Sequence, residues 1–170
     1  MTHPAIRPVR PQDVPAVVSM VHELAEFERQ PDQCRLTEGD LRAALFSANP
    51  ALHGHVAVDR DDEPVGFALW FLNFSTWEGT HGIYLEDLYV RPSARGDGIG
   101  TALLATLARL CLDRGYRRLE WWVLDWNTDA LRLYHRLGAT SMSDWTVHRL
   151  TGAGLTALAG RTYPPLAPRP

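Results

Sequence analysis

Hydrophobic positions change period several times along the chain, and each change marks an element. Over residues 5–10, Ile6 and Val9 are the apolar positions of a short first strand. Pro11-Gln12-Asp13 opens a helix, with Asp13 the candidate N-cap and Pro15 tolerated in the first turn. Val17, Met20, Val21, Leu24 and Phe27 form one apolar stripe at helical spacing, and Pro31 ends it. Thr37, with Asp40 three residues on, caps a second short helix that buries Leu41, Ala44 and Leu45 and stops at Asn49-Pro50. Residues 53–58 alternate as a strand, 59–64 are a charged hairpin turn, and 65–74 are a rich β run. A loop carrying Trp77 leads to a strand over 82–90. Ile99, Leu103, Leu107, Leu110 and Cys111 then recur as a helix that closes at Gly115. Residues 118–124 predict another strand. Asn127 caps a helix running through Leu131, Tyr134 and Leu137 to Gly138. Residues 140–142 and 145–150 are expected as late strands. One domain over 1–163 is expected, with 164–170 a loose Pro-rich tail.

Three consecutive strands predict an antiparallel meander, and the strand–helix–strand crossover from Glu86 to Val123 predicts a parallel pair. The fold class is therefore α/β, a mixed and mostly antiparallel sheet with about four helices. If that parallel pair splays at its carboxyl ends, it leaves a cleft beside a helix start, the usual ligand position in such sheets.

Length and composition narrow the function. At 170 residues, 45% hydrophobic and 22% charged, this is ordinary globular material. A net charge of −3 gives no electrostatic case for nucleic acid. Cys34 and Cys111 suggest no disulfide framework, so a reducing cytoplasm is the expected setting. The segment Met1-Thr2-His3-Pro4 lacks a signal pattern, and no apolar run predicts a membrane span. His53 and His55 alternate on one strand face, but no third metal ligand accompanies them, and no metal is expected. Cys111 belongs to the apolar stripe of its helix and is expected in the core.

The candidate chemistry begins at Arg95-Gly96-Asp97-Gly98-Ile99-Gly100, between the strand carrying Glu86-Asp87 and an Ala/Leu-rich helix. Three glycines in five residues leave backbone amides bare at a helix start, a site for an anionic group. Thr101 follows Gly100 with no Lys, which excludes a P-loop. A dinucleotide fingerprint would want glycine at 103, where Leu103 stands, although Glu120 is placed as its later acid. Glu86 and Asp87 are neighbours in an apolar strand, so only a bulge lets both serve one cleft.

The Arg-x-x-Gly-x-Gly turn, with that strand and helix about it, resembles the acetyl-CoA pyrophosphate loop of the GNAT superfamily of N-acetyltransferases. Asn127, Ala130, Tyr134 and Gly138 resemble a second segment of the same superfamily. Over residues 6–150 the chain is similar to the diamine acetyltransferase branch, which includes spermidine/spermine and thialysine acetyltransferases. The marks are Glu23-Leu24-Ala25-Glu26-Phe27-Glu28, Leu36-Thr37-Glu38, Ser75-Thr76-Trp77, Tyr84-Leu85-Glu86-Asp87, Gly96 to Gly100, and Leu124-Asp125-Trp126-Asn127.

The resemblance implies a GNAT-like sheet with a splayed parallel pair, acetyl-CoA as co-substrate, a small-molecule amine as acceptor, and a homodimer. It implies that the backbone of Leu88, Tyr89 and Val90 holds the acetyl end of the cofactor. Arg95, Gly96, Asp97, Gly98, Ile99, Gly100 and Thr101 would grip the pyrophosphate, and Asn127, Thr128, Asp129, Ala130 and Tyr134 would complete that site. Phe27, Glu28, Trp77, Glu86, Asp87, Glu120, Trp121 and Trp122 would line the amine site.

Acetyl transfer to an amine needs the amine neutral, at a cost of about 4–5 kcal/mol for an alkylammonium near pH 7. Glu86 is the candidate base or ammonium anchor, Tyr134 the candidate acid for the departing thiolate, and transfer is expected to be direct. Ser75-Thr76 stands where polyamine enzymes carry an extra acid, which favours a thialysine-like amino acid or small diamine over a long polyamine. A protein or antibiotic amine, and a non-catalytic acyl-CoA sensor, stay open as alternatives.

Overall fold

The computed structural model describes residues 5–161; the expected tail over 164–170 lies outside them. The chain divides after Trp122 into two compact units.

The first unit is built on a five-stranded sheet in the order β1-β2-β3-β4-β5. Its strands are β1 (Ala5–Pro8), β2 (His53–Val58), β3 (Pro64–Ser75), β4 (Thr80–Val90) and β5 (Leu119–Glu120). The first three pairings are antiparallel and β4–β5 is parallel. Three α-helices accompany the sheet: α1 (Val14–Phe27), α2 (Glu38–Phe46) and α3 (Ile99–Asp113). Of the stripe expected on α1, Val17 and Met20 are buried, with Val14 beside them, against Val56, Val58, Phe67, Leu69 and Tyr89 of the sheet; Val21 and Leu24 are partly buried, Phe27 is exposed, and Leu41 and Leu45 of α2 close the core. That fixes one face of β3 and β4 as the α1 side.

Local signals explain the boundaries. Thr37 caps α2 by accepting from the Asp40 amide at 3.2 Å, while the Asp40 carboxylate accepts from the Thr37 amide at 3.1 Å. Asp13 begins α1 without a side-chain cap bond. It is 3% exposed, and its carboxylate takes a two-pronged pair from Arg7 at 2.6 and 3.0 Å and the Arg10 amide at 2.7 Å. Burial of that carboxylate selects the ion pair over the cap.

The second unit carries α4 (Thr128–Arg136) and α5 (Gly152–Ala159). Asn127 caps α4 as expected, accepting from the Ala130 amide at 3.3 Å, and Gly138 turns away at φ 85°. Among the described residues, 140–142 and 145–150 form no strand. Strand-like composition still needs an edge to pair with. Here Trp145 and Val147 alternate with polar residues, but Arg149 and Leu150 break the alternation, and every residue over 140–150 is exposed. Only Leu119–Glu120 of the strand expected over 118–124 pairs with β4.

Candidate active site

The turn after β4 forms as an anion site should. Gly96 and Gly98 sit at φ 97° and 76°, in the left-handed region that glycine enters without strain. Gly98 is the N-cap of α3 and offers no side chain. The Ala102 amide closes back on the Gly98 carbonyl at 2.9 Å, so the amides of Ile99, Gly100 and Thr101 lie ahead of the first helical bond. A Cβ at Gly96, Gly98 or Gly100 would meet no atom within 4 Å, which leaves the space over the turn open. These donors fit the diphosphate of a coenzyme A.

β4 is paired to β5 only at Ile83–Leu119 and Tyr84–Glu120. Beyond Leu85 its β5-side edge has no ladder among the described residues, as in a splayed pair, and Leu88, Tyr89 and Val90 lie along that stretch. On the other side, β3 and β4 shift register: Leu69 faces Asp87, while Trp70 faces Leu85. Glu86 is the extra residue, so the two adjacent acids are reconciled by a β-bulge. Leu69 points into the α1-side core. Asp87 therefore shares the α1 face, and Tyr84, opposite Phe71, shares it as well. In an unbroken strand residues 84 and 87 would lie on opposite faces.

The bulge gathers carboxylates. Asp87 is pushed up to about 6, first by burial and then by the charges of Glu86 and Glu28. Burial also raises Glu28. Glu28 ends α1, and the next residue, Arg29, takes φ 62°. A left-handed non-glycine costs about 1–2 kcal/mol. It lets the amides of Glu28, Arg29 and Gln30 close onto Leu24, Glu26 and Ala25 at 2.9–3.0 Å, which fixes Glu28 at the helix end.

Arg95 links the two halves of this region. Its Nε donates to the Val90 carbonyl at 2.8 Å, and its guanidinium carbon lies 5.7 Å from the Phe27 ring centroid and 5.4 Å from that of Tyr89. Glu23, on the polar side of α1, pairs with Arg91 at 3.3 Å. Sequence reasoning missed that pair because helical periodicity does not show which loop a polar face meets.

The remaining candidates scatter. Trp77 is 89% exposed at the β3–β4 hairpin end, beyond the Ser75–Thr80 pair. That is seven residues along β4 from Asp87, roughly 20 Å, so this chain does not bring it to the carboxylates. Glu120 lies beside Tyr84, and the Trp122 ring meets Tyr84 edge-on at 5.9 Å. Trp121, between them, is half-buried. In the second unit, Asn127 and Ala130 form the α4 cap, Asp129 pairs with Arg132, and Thr128 opens the helix. Tyr134 lies on α4 with its phenol raised by burial. Among the described residues no group of three or more His, Cys, Asp or Glu could hold a metal. His55 instead accepts at Nδ1 from the Trp70 indole at 3.1 Å. Cys111 is buried with its thiol raised, as a core cysteine should be.

A mixed sheet whose parallel pair stops short, a bulged strand and a bare Gly-rich helix start are the arrangement that the resemblance to acetyltransferases implied. The chain belongs to the acetyltransferase (GNAT) family, whose model matches residues 18–139. It is 38% identical over 166 residues to thialysine N-epsilon-acetyltransferase of Bos taurus, covering 92% of this chain and 97% of that one. It is 28% identical over 197 residues to an L-ornithine N5-acetyltransferase of Arabidopsis thaliana, covering 90% and 86%. Among solved structures, an integron cassette protein from the mobile metagenome of V. cholerae superposes with a TM-score of 0.78 at 28% identity, covering 95% of this chain and all of that one. The protein is an N-acetyltransferase.

Proposed function

We propose that this protein transfers the acetyl group of acetyl-CoA directly to the side-chain amine of a small amino acid or diamine. The observation that carries the reading is the bulge at Glu86. It seats a half-buried carboxyl, raised to about 6, beside the unpaired edge of β4 and one short loop from the Gly-rich turn. The relatives' names, thialysine and ornithine acetyltransferases, support the acceptor class.

Acetyl-CoA supplies the thioester. The amides of Ile99, Gly100 and Thr101 hold the diphosphate, and the open edge of β4 along Leu88, Tyr89 and Val90 aligns the arm. Glu28 and Glu86 attract the incoming ammonium. Asp87 takes its proton, directly or through water, because a carboxyl near 6 is still ionised at neutral pH and is more basic than an ordinary aspartate. The neutral nitrogen then bonds to the carbonyl carbon, the carbon–sulfur bond breaks, and the second proton that the nitrogen sheds on becoming an amide passes to water. Tyr134, on the resemblance and its raised phenol, gives the departing sulfur its proton. This moves the base from Glu86, the sequence candidate, to Asp87, and leaves Glu86 as the anchor. The reading keeps one acetyltransferase domain through residue 163, a homodimer implied by the resemblance, and a cytoplasmic setting suggested by cysteine usage.

The test is thiol release from acetyl-CoA across thialysine, ornithine, lysine, putrescine, spermidine, an aminoglycoside and a lysine peptide. Turnover is expected with the amino acids and short diamines. Turnover confined to the peptide or aminoglycoside overturns the acceptor class. Tyr134→Phe is expected to lose most turnover while keeping acetyl-CoA affinity, and unchanged turnover removes Tyr134 as the acid.

A further inference from the structure

We infer that Arg118 and Glu120, backed by Asn73, form a subsite for the α-amino and α-carboxylate groups of the acceptor. The protein would then select an α-amino acid over the diamine of the same length. The inference rests on the acceptor class proposed above.

The placement follows from register. Asp87 and Tyr84 share the α1 face because of the bulge. Tyr84 is opposite Phe71 on β3 and beside Glu120 on β5, and Gly82 is opposite Asn73. One face of the sheet thus carries, in order from the carboxylates, an aromatic stretch and then a polar group. The stretch is Phe71 and Tyr84, rings 5.0 Å apart, with Trp122 edge-on to Tyr84 at 5.9 Å. The polar group is Asn73, whose Nδ2 donates to Glu120 at 2.7 Å, and Arg118, whose Nε lies 3.0 Å from the same carboxylate. From Asp87 to Tyr84 the ladder advances only from Leu69 to Phe71 of β3, roughly 7 Å. A lysine-like side chain laid along it can present its amine at Asp87 and its head group at Glu120.

Three features fit a zwitterion. The positive and negative groups lie side by side, as an α-carboxylate and an α-ammonium do. Both remain accessible, with side chains 31% and 41% exposed. The Asn73 Oδ1 is buried without a hydrogen-bond partner, so the amide is held with its donor on Glu120 and its acceptor against Gly82. A Cβ at Gly82 would fall 2.5 Å from Arg118 Cγ and 2.8 Å from that oxygen, so glycine is what lets the arginine stem and the amide lie flat on the sheet. Asp87, Glu28 and Glu86 supply only negative charge, and of the groups just described only Arg118 can pair with a carboxylate.

The experiment compares thialysine with its decarboxylated diamine, in wild type and in Arg118→Met, which keeps an apolar stem. Steady-state rates are read beside calorimetric binding of each compound to the CoA-loaded protein. Wild type is expected to favour the amino acid. Arg118→Met should lose roughly ten- to a hundredfold in kcat/KM and affinity for the amino acid, chiefly through KM, while the diamine, which has no carboxylate to lose and keeps an ammonium for Glu120, is not weakened. Glu120→Gln should weaken both compounds, since each carries the ammonium that Glu120 would hold. Equal losses for both compounds in Arg118→Met, or no loss for either, overturn the subsite. Amino acid binding by wild type that Arg118→Met abolishes upholds it even without transfer, whereas absent transfer overturns the proposed reaction alone.

Discussion

Replacing Asp87 with Asn separates the catalytic from the structural consequences of the raised carboxyl. The shift from 3.8 to about 6 means that the ionised carboxylate is disfavoured in the folded protein. At about 1.4 kcal/mol per pH unit, the cost at neutral pH approaches about 3 kcal/mol. The sign follows from proton counts. Between pH 4 and 6 the folded state holds a proton that the unfolded state has lost, so stability falls as pH rises through that window and stays low above it. Asn cannot ionise. Asp87→Asn should therefore raise the melting temperature at pH 8, by at most roughly 6–12 °C for a chain of this size, and leave it nearly unchanged at pH 4. The same variant should lose at least about a hundredfold in kcat, because the ammonium proton has no acceptor. Wild-type kcat/KM should rise with pH through an apparent value near 6, which belongs to the coupled carboxylates together. Glu28→Gln should move that limb to lower pH, since it removes one of the charges holding Asp87 up. Thermal melts at the two pH values and a pH–rate profile are the assays. Equal destabilisation of Asp87→Asn at pH 4 and 8 refutes the burial argument, and retained turnover refutes the base.

Gly98→Ala meets no atom but must hold φ 76°, so about 1 kcal/mol of strain and a weaker acetyl-CoA KM are expected; an unchanged KM would remove this turn from the cofactor site. Arg95→Met loses the Val90 bond and both ring contacts, so about 1–2 kcal/mol of stability should go in denaturant unfolding, and KM should rise for both substrates; a rise for acetyl-CoA alone would break the link to α1. His55 is held neutral, its pKa lowered by burial and then by His53 and Arg114. Its stabilising contribution is thus complete above the unfolded pKa of about 6.5 and is lost as pH falls. Trp70 fluorescence should change on acidification in wild type and less in His55→Gln; identical titrations would exclude the pair as the acid-sensitive contact.

The fold was legible wherever a local pattern and a local partner coincide. The α1 stripe, the Thr37–Asp40 cap of α2, the β2–β4 meander, the Gly98 start of α3 and the Asn127 cap of α4 all draw on residues within a few positions. Gly152–Ala159 forms a helix where the sequence reading assigned no element, because Leu and Ala outweigh two glycines at its start. Over 145–150, composition predicted a strand that has no edge in the described chain. In the site, the Glu86-Asp87 pair showed that a bulge was needed for both acids to face one cleft, but not that one forms or which acid it would bury. That depends on cross-strand register with Leu69 and Trp70, which no single strand's sequence contains. Arg118 and Asn73 carried no signal at all, since they meet only across β3, β4 and β5.

The inserted residue does work that substitution could not. Ile83, Leu85, Phe67 and Leu69 are all buried, so sliding β4 by one position would expose a whole face. Inserting Glu86 leaves residues 80–85 and 87–90 each in a sound register with β3, yet carries Asp87 and Tyr84 onto the same side. The ladder is interrupted at one point, beside the edge proposed for the acyl arm. The same insertion leaves Glu86 exposed next to Asp87, where its charge helps hold the buried carboxyl basic. The proposed proton acceptor, the proposed acceptor groove and the charge tuning thus share one local cause. They should fail together if residue 86 is deleted, and separately if only its side chain is changed.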